Sequence, residues 1–162
     1  MEKELKPWGS KDYNFTINSK LEKDNQKIKV TYNIVGDPSN IIFPVKSEFK
    51  RKDDLWKDTC FELFLLKEDG QYFEINFSPS KEYNIYKFKK YREEMSTSEE
   101  LVLNIIKNNQ KQIVLEIDIF KINIFKFNIC SVINSSNQLS YWSIYHQESP
   151  DFHLEKNFIN FV

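Results

Sequence analysis

Short segments in which apolar and polar residues alternate constrain the fold of this chain more than any other feature of its sequence. In "KIKVTYNIV", residues 27–35, apolar side chains occupy every second position from Ile28 to Ile34. Successive side chains of an extended strand point to opposite faces, so this pattern predicts a strand with one buried face. Comparable segments recur at 13–20, 59–66, 71–78, 82–88, 101–107, 111–119, 126–133, 140–146 and 158–162.

Clusters of turn-forming residues separate the strand segments, as in "GDPSN" at 36–40 and "KEDGQ" at 67–71. Alanine is absent, and β-branched and aromatic residues dominate the apolar set, which disfavours helices. The segment "KKYREEMSTSEE" at 89–100 lacks strand periodicity and is interpreted as a loop or a short helix around Met95. Many short strands joined by tight turns predict an all-β fold, an antiparallel β-sandwich of two sheets.

The length and composition of the chain predict one folded domain spanning residues 1–162. A chain of 162 residues, 40% of them hydrophobic, buries enough apolar surface to fold without metals or disulfides. Cys60 and Cys130 fall within strand segments of a chain without an export signal, so we expect both to be buried free thiols. The sequence does not indicate an oligomeric state.

Charge and hydropathy argue against two classes of partner. The net charge of −1 provides no basic surface for nucleic acid, because neighbouring Asp and Glu offset the Lys-rich stretches. No apolar run approaches the roughly 20 residues of a membrane span, and "MEKELKPWGS" lacks the apolar core of a secretory signal. We therefore expect a cytoplasmic protein without nucleic-acid or membrane partners.

Two carboxylates and an amide lie on strands that otherwise resemble sheet core. Residues 59–66 and 71–78, joined by "KEDGQ", are predicted to form a hairpin. The strongly apolar faces of both strands then pair over the core, which leaves Glu62, Glu74 and Asn76 together on the opposite face. The apolar neighbours on that mixed face are Phe64, Leu66 and Tyr72.

This mixed face has three interpretations. It is the solvated side of one sheet, as is common in antiparallel sheets. Alternatively, it is a concave site in which a few polar groups orient a ligand that aromatic surface holds. The third interpretation is an ion-pair network, in which Arg51 or Arg92 binds Glu62 or Glu74 and braces the loops.

Three segments carry a resemblance to a known family: "LWKDTCFELFL" at 55–65, "YFEINFSPSKEYNIYKFKKYREEM" at 72–95 and "YWSIYHQESPDFH" at 141–153. They resemble the bacterial DOMON-like proteins related to family 9 carbohydrate-binding modules, over the chain from about Tyr32 to the C-terminus. Members of this superfamily are β-sandwiches that bind sugars in some branches and haem in others. The resemblance therefore implies a ligand-binding sandwich.

Trp56 followed by Asp58 and Glu62 is similar to the tryptophan and acidic strand signature of the carbohydrate-binding modules, whose aromatic residues hold a sugar. Sugar recognition needs aromatic rings against C–H groups and carboxylates or amides for hydroxyls. The resemblance thus implies that a carbohydrate or another small polar metabolite binds the mixed face without a cofactor. The candidate ligand-binding residues are Trp56 and Tyr72 for stacking, Glu62, Glu74 and Asn76 for hydroxyls, Arg51 and Arg92 to orient carboxylates or meet an anionic ligand, Tyr86, and His146 and His153 at the rim.

Two alternatives stay open. The haem-binding branches use an axial methionine with lysine or histidine, and Met95, His146 and His153 provide such ligands here. A metal-dependent or acid/base hydrolase would use the loop "YHQESPDFH" or the pair of Glu62 and Glu74. The sequence contains no zinc motif, nucleophile elbow or Gly-rich phosphate loop, so binding is favoured over catalysis.

Trp142 is a further candidate for stacking on a sugar. It shares the parity of Ile144, which is equally compatible with a position in the core. The sequence therefore supplies one strong candidate tryptophan, Trp56, and leaves the role of Trp142 open.

Overall fold

The fold is built almost entirely from antiparallel β-strands. A computed structural model describes residues 1–120 and 122–161 of the chain. Within these ranges no helix is long and apolar enough to cross a membrane, and two short 3₁₀ turns cover Leu55–Lys57 and Glu155–Asn157. The strands in these ranges are β1 (Glu2–Pro7), β2 (Phe15–Lys23), β3 (Lys27–Gly36), β4 (Cys60–Lys67), β5 (Tyr72–Phe77), β6 (Tyr83–Phe88), β7 (Ser96–Thr97), β8 (Val102–Asn108), β9 (Gln112–Asp118), β10 (Ile124–Ser135), β11 (Gln138–Ser143) and β12 (Ile159–Asn160).

One path of strand pairing curls into two facing sheets, which confirms the predicted antiparallel sandwich. The strand order is β7-β6-β5-β4-β10-β11-β1-β2-β3-β9-β8, and β12 pairs with β10. Strand β1 connects the sheets, because its first residues pair with β2 while Lys6 and Pro7 pair with β11. We call the part from β2 to β8 the first sheet and the part from β11 to β7 the second sheet.

The main core lies between the two sheets. The rings of Tyr32 on β3 and Phe61 on β4 are 5.0 Å apart, and the Tyr32 hydroxyl donates a hydrogen bond of 2.7 Å to the backbone oxygen of Glu62. Trp142 is also buried in this core and stacks on Phe15 at 5.2 Å. Trp142 therefore packs in the core, and it does not contribute to a site on the opposite face.

The β4–β5 hairpin has the register that places the three polar residues on one face. Glu62 pairs with Asn76, and Phe64 pairs with Glu74. In the connecting turn Gly70 adopts a φ of +85°, a conformation that side chains with a Cβ rarely adopt. The hairpin prediction is confirmed, and Glu62, Glu74 and Asn76 share the face of the second sheet that points away from the main core. We call this the outer face.

The structure differs from the sequence prediction in three places. β1 was not predicted, because only Leu5 of its six residues is buried and its pattern is therefore weak. The segment around Met95 contains turns and the short strand β7, so the helical option there is wrong. The predicted strand 158–162 is limited to β12, and Val162 lies outside the described residues.

The two cysteines have the predicted state. Cys60 and Cys130 are both buried and free. Burial raises the pKa of each thiol well above its usual value, so both side chains act as small apolar groups.

Candidate ligand-binding site

A second buried cluster covers the outer face of the second sheet. Its members are Phe64, Leu66, Tyr72, Tyr86, Phe88, Cys130, Val132, Phe152 and Phe158. Phe152 and Phe158 come from the segment after β11, and the Asn128 side chain of β10 holds this segment with a hydrogen bond of 3.2 Å to the backbone oxygen of Phe152. The outer face is thus covered by the chain itself.

A cavity of about 480 Å³ opens between this cluster and the covering segments. Its volume lies within the roughly 300 to 1,000 Å³ typical of small-molecule sites. The lining combines aromatic rings, two carboxyl groups and a guanidinium. The described residues that line it are Trp56, Glu62, Glu74, Tyr86, Phe88, Arg92, Met95, Val132, Tyr141, Pro150, Phe152 and His153.

Glu62 is the most unusual residue of this cavity. Its side chain is buried, with 2% exposure, and its Oε1 atom has no hydrogen-bond partner in the described part of the chain. Burial, and then the neighbouring Glu74 carboxyl, raise the pKa of Glu62 well above its usual value. A buried polar atom without a partner costs about 1–3 kcal/mol. Glu62 lines the cavity, and a rotation of its carboxyl group would turn this buried oxygen towards a ligand.

Glu74 and Asn76 form a polar pair beside Glu62. The Asn76 side-chain amide donates a hydrogen bond of 2.9 Å to Glu74 Oε1, and both residues are buried. Burial raises the pKa of Glu74 to about 7, against the opposing effects of the Asn76 hydrogen bond and the Arg92 charge. The interpretation of this face as the solvated side of a sheet is therefore wrong, because all three polar residues are shielded from solvent.

A short hydrogen-bond chain positions His153 against Glu74. The backbone N–H of Arg92 donates to the Tyr72 hydroxyl at 3.0 Å, and this hydroxyl lies 2.8 Å from His153 Nδ1. When the hydroxyl donates to Nδ1, the ring proton resides on Nε2, which is 3.6 Å from Glu74 Oε2. Burial lowers the pKa of His153 to about 4, so at neutral pH this contact is not an ion pair.

The predicted ion-pair network does not form. Arg92 pairs with Asp151 at 2.8 Å, and Arg51 pairs with Glu99 at 3.1 Å and donates to the Ser98 backbone oxygen. Neither arginine is within ion-pair distance of Glu62 or Glu74 in the described ranges. Arg92 nevertheless lines the cavity, in a left-handed backbone conformation with a φ of +53°, whereas Arg51 lies outside the lining.

The predicted aromatic residues divide between the rim and the cluster. Trp56 stands at the cavity with 38% exposure. Tyr86 lines the cavity, and its hydroxyl donates to Asp53 at 2.5 Å. Tyr72 is buried in the second cluster and stacks on Phe88 at 4.7 Å with the rings nearly parallel. Trp56 is therefore the lining aromatic ring most accessible to a ligand, and Tyr72 lies outside the lining and packs against Phe88.

The loop "YHQESPDFH" does not assemble a metal site. His146 lies outside the cavity lining, where its Nε2 is 2.8 Å from the Lys6 backbone oxygen and its ring contacts Trp8. His153 is inside the cavity. No group of three or more potential ligands is positioned to hold a metal ion in residues 1–120 and 122–161.

Haem ligation remains a prediction with one structural difficulty. Met95 lines the cavity and is 57% exposed, but both ring nitrogens of His153 are directed at Tyr72 and Glu74. An iron ligand at His153 would have to break one of these contacts, and His146 lies elsewhere. Met95 and the two histidines therefore do not form an axial pair in this arrangement.

Several lining residues were not identified from the sequence. Tyr141, Val132, Phe88, Pro150 and Phe152 all face the cavity. Tyr141 has the opposite parity to Trp142 on β11, so its orientation could have been inferred once Trp142 was assigned to the core. Pro150 and Phe152 lie in an irregular segment, whose path over the sheet has no periodic sequence signal.

Comparison with known proteins supports the fold and leaves the family open. Neither protein-family profiles nor curated protein sequences match the chain. The crystal structure of a candidate carbohydrate-binding protein from Bacteroides uniformis is similar, with a TM-score of 0.66 and 14% identity over 98% of this chain and 84% of that one. At this identity the similarity shows a shared β-sandwich fold.

A second solved structure is a family 9 carbohydrate-binding module from Caldicellulosiruptor kristjanssonii in complex with glucose. It has a TM-score of 0.39 and 13% identity, over 84% of this chain and 70% of that chain. A likeness of this extent shows neither the fold nor the site of this chain. The function therefore has to be inferred from the cavity itself.

Proposed function

We propose that the outer-face cavity binds a carbohydrate, either a monosaccharide or the end of a short oligosaccharide. The observation that carries this proposal is the position of Trp56, 38% exposed, at the same cavity as Glu62, whose Oε1 has no hydrogen-bond partner among the described residues. Sugars present apolar C–H faces that pack on aromatic rings and hydroxyl groups that bind carboxyl oxygens. The cavity provides both surfaces within one space of about 480 Å³.

The chemistry of the lining agrees with a hydroxylated ligand. Glu62 and Glu74 accept or donate hydrogen bonds according to their protonation, and the raised pKa of Glu74, about 7, makes both states accessible near neutral pH. Trp56, Tyr86 and Phe88 supply aromatic surface. The Bacteroides uniformis protein with this fold is itself a candidate carbohydrate-binding protein, which is compatible with the proposal but does not carry it.

A calorimetric screen of monosaccharides and short oligosaccharides tests the proposal. We expect at least one sugar to bind at or below millimolar concentration, and Trp56→Ala to weaken that binding by about tenfold or more, which corresponds to about 1.4 kcal/mol. Trp8→Ala is the matched control, because Trp8 has the same 38% exposure and lies outside the lining. This control should bind as the parent does.

Two results would contradict carbohydrate binding. One is the absence of binding by any sugar at millimolar concentration. The other is an equal loss of affinity in Trp56→Ala and Trp8→Ala, which would place the ligand away from the cavity. If no sugar binds and Glu74→Gln alters only stability, the carboxyls serve the packing of the outer face.

A further inference from the structure

Among the described residues, no lysine or arginine forms an ion pair with the carboxyl pair in the cavity, although the Arg92 charge opposes the raised pKa of Glu74. Arg92 is the one permanently charged cation among the described lining residues, and its guanidinium is engaged with Asp151 at 2.8 Å. His153 is neutral above its pKa of about 4. Glu62 and Glu74 lie on adjacent strands, and the Glu74 charge raises the pKa of Glu62. A cation from another source would stabilise the ionised forms of both carboxyls.

The geometry around the pair suits an ammonium group. Glu62 lines the cavity, and its Oε1 is buried without a partner in the described chain, so the carboxyl has an unused acceptor that a rotation would turn towards a ligand. Trp56, Tyr86 and Phe88 border the same space, and aromatic faces attract cations at close range. Carboxyl oxygens together with aromatic rings form a surface that binds a positively charged nitrogen more strongly than a hydroxyl.

We propose that the ligand is an amino sugar with a free primary amine, whose ammonium group binds between Glu62 and Glu74 while its ring packs on Trp56. This inference rests on the proposed carbohydrate function and names the class of sugar. An N-acetylated sugar carries an uncharged amide in place of the amine and gains no ion pair. The cavity therefore distinguishes free amines from neutral sugars by charge.

Binding of an ammonium group should release protons from the carboxyl pair. Burial raises the pKa of both Glu62 and Glu74, to about 7 for Glu74, so the free pair holds protons below pH 7, whereas an ammonium ion favours the ionised forms. His153, with a pKa of about 4, does not titrate between pH 5 and 7, and neither do Arg92, whose pKa is raised, and Asp151, whose pKa is lowered. The pKa is raised for the tyrosines Tyr32, Tyr72 and Tyr86 and for both thiols.

Matched pairs of hexoses test the inference by calorimetry on the full chain. The probes are glucosamine with glucose, galactosamine with galactose and mannosamine with mannose, and each N-acetylated hexosamine serves as a neutral control. At pH 7 we expect one amine to bind at least about tenfold more tightly than its neutral partner and its N-acetylated form. At pH 5 this ratio should shrink by about tenfold or more, because the carboxyls then retain their protons.

Substitution of Glu62 tests whether the preference for an amine arises at the carboxyl pair. In Glu62→Gln the ratio of amine to neutral affinity should fall towards one, whatever the change in affinity for the neutral sugar. The control Glu22→Gln removes the same charge from the exposed side of β2, where Glu22 pairs with Lys20 at 3.0 Å, and should keep the ratio of the parent.

The outcomes separate this inference from the function on which it rests. Equal binding of an amine and its neutral partner overturns the amino-sugar assignment and leaves carbohydrate binding standing. Binding of no sugar at all overturns carbohydrate binding, and the assignment fails with it. An amine preference that Glu62→Gln leaves unchanged overturns the placement of the ammonium at the carboxyl pair.

Discussion

The two faces of the second sheet are both buried, but they differ in chemistry. On the inner face, Phe61 of β4 is fully buried against Tyr32 of the first sheet in an apolar core. On the outer face, the next residue, Glu62, is almost as buried, yet one of its carboxyl oxygens has no partner among the described residues, and the side chain borders a cavity. Burial alone therefore does not separate core from site. The feature that distinguishes the site from the core is a buried polar side chain next to an open cavity.

Among these variants, removal of an aromatic ring from one face or the other should show the largest effect on the free energy of unfolding. Phe61→Ala leaves a closed void in the main core and should cost about 3–5 kcal/mol in the free energy of unfolding. Phe88→Ala enlarges a cavity that is already open, so we expect a smaller loss of about 1–3 kcal/mol. Urea denaturation at pH 7 measures both, and equal losses would contradict the distinction between a closed core and an open site.

The pH dependence of stability should change in Glu74→Gln. The pKa of Glu74 rises from 4.5 to about 7 on folding, so the unfolded carboxyl ionises first and the parent loses stability as the pH rises through this interval. The variant lacks this loss. The difference in unfolding free energy, variant minus parent, should therefore grow from near zero at pH 4 to a maximum of about 3 kcal/mol at pH 8.

The difference between variant and parent separates the contribution of Glu74 from that of His153, which has the opposite pH dependence. The pKa of His153 falls from 6.5 to about 4 on folding, so His153 makes the protein more stable as the pH rises from 4 to 6.5. To first order its contribution is present in both proteins and cancels in the difference. A flat difference between pH 4 and pH 8 would mean that Glu74 is solvated, as on an ordinary exposed sheet face.

The smallest effect on stability is expected for Trp56→Ala. Trp56 is 38% exposed at the rim, and replacement of a partly exposed side chain away from a packed core costs about 1 kcal/mol or less. Thermal unfolding of the variant beside Phe61→Ala would measure this contrast. A loss as large as that of Phe61→Ala would show that Trp56 supports the fold, and its effect on sugar binding would then be indirect.

Alternation was enough to predict the hairpin and the face that carries the polar residues. Glu62, Glu74 and Asn76 share a face because side-chain direction has a period of two. The same rule could not predict that this face is buried, since the segment that covers it has no regular pattern. Nor could it predict β1, whose single buried residue gives no periodic signal although the strand joins the two sheets.

The ion-pair partners of the two arginines could not be predicted from the sequence either. The sequence suggested Arg51 and Arg92 as partners for the buried carboxyls, but these side chains pair with Glu99 and Asp151. Ion pairs depend on which loops approach each other in space, and residue types alone do not specify this. Because of that placement, neither arginine forms an ion pair with the carboxyl pair.

The sequence by itself determined the all-β class, most strand positions, the β4–β5 register and the residues that point away from the main core, because these follow from local periodicity and turn chemistry. Only the tertiary structure decided that Trp142 belongs to the core, that the C-terminal segment covers the outer face, and that Glu62 borders a cavity. These features depend on contacts between residues far apart in the chain. No local pattern encodes such contacts, because the distance between segments is set by the packing of the whole fold.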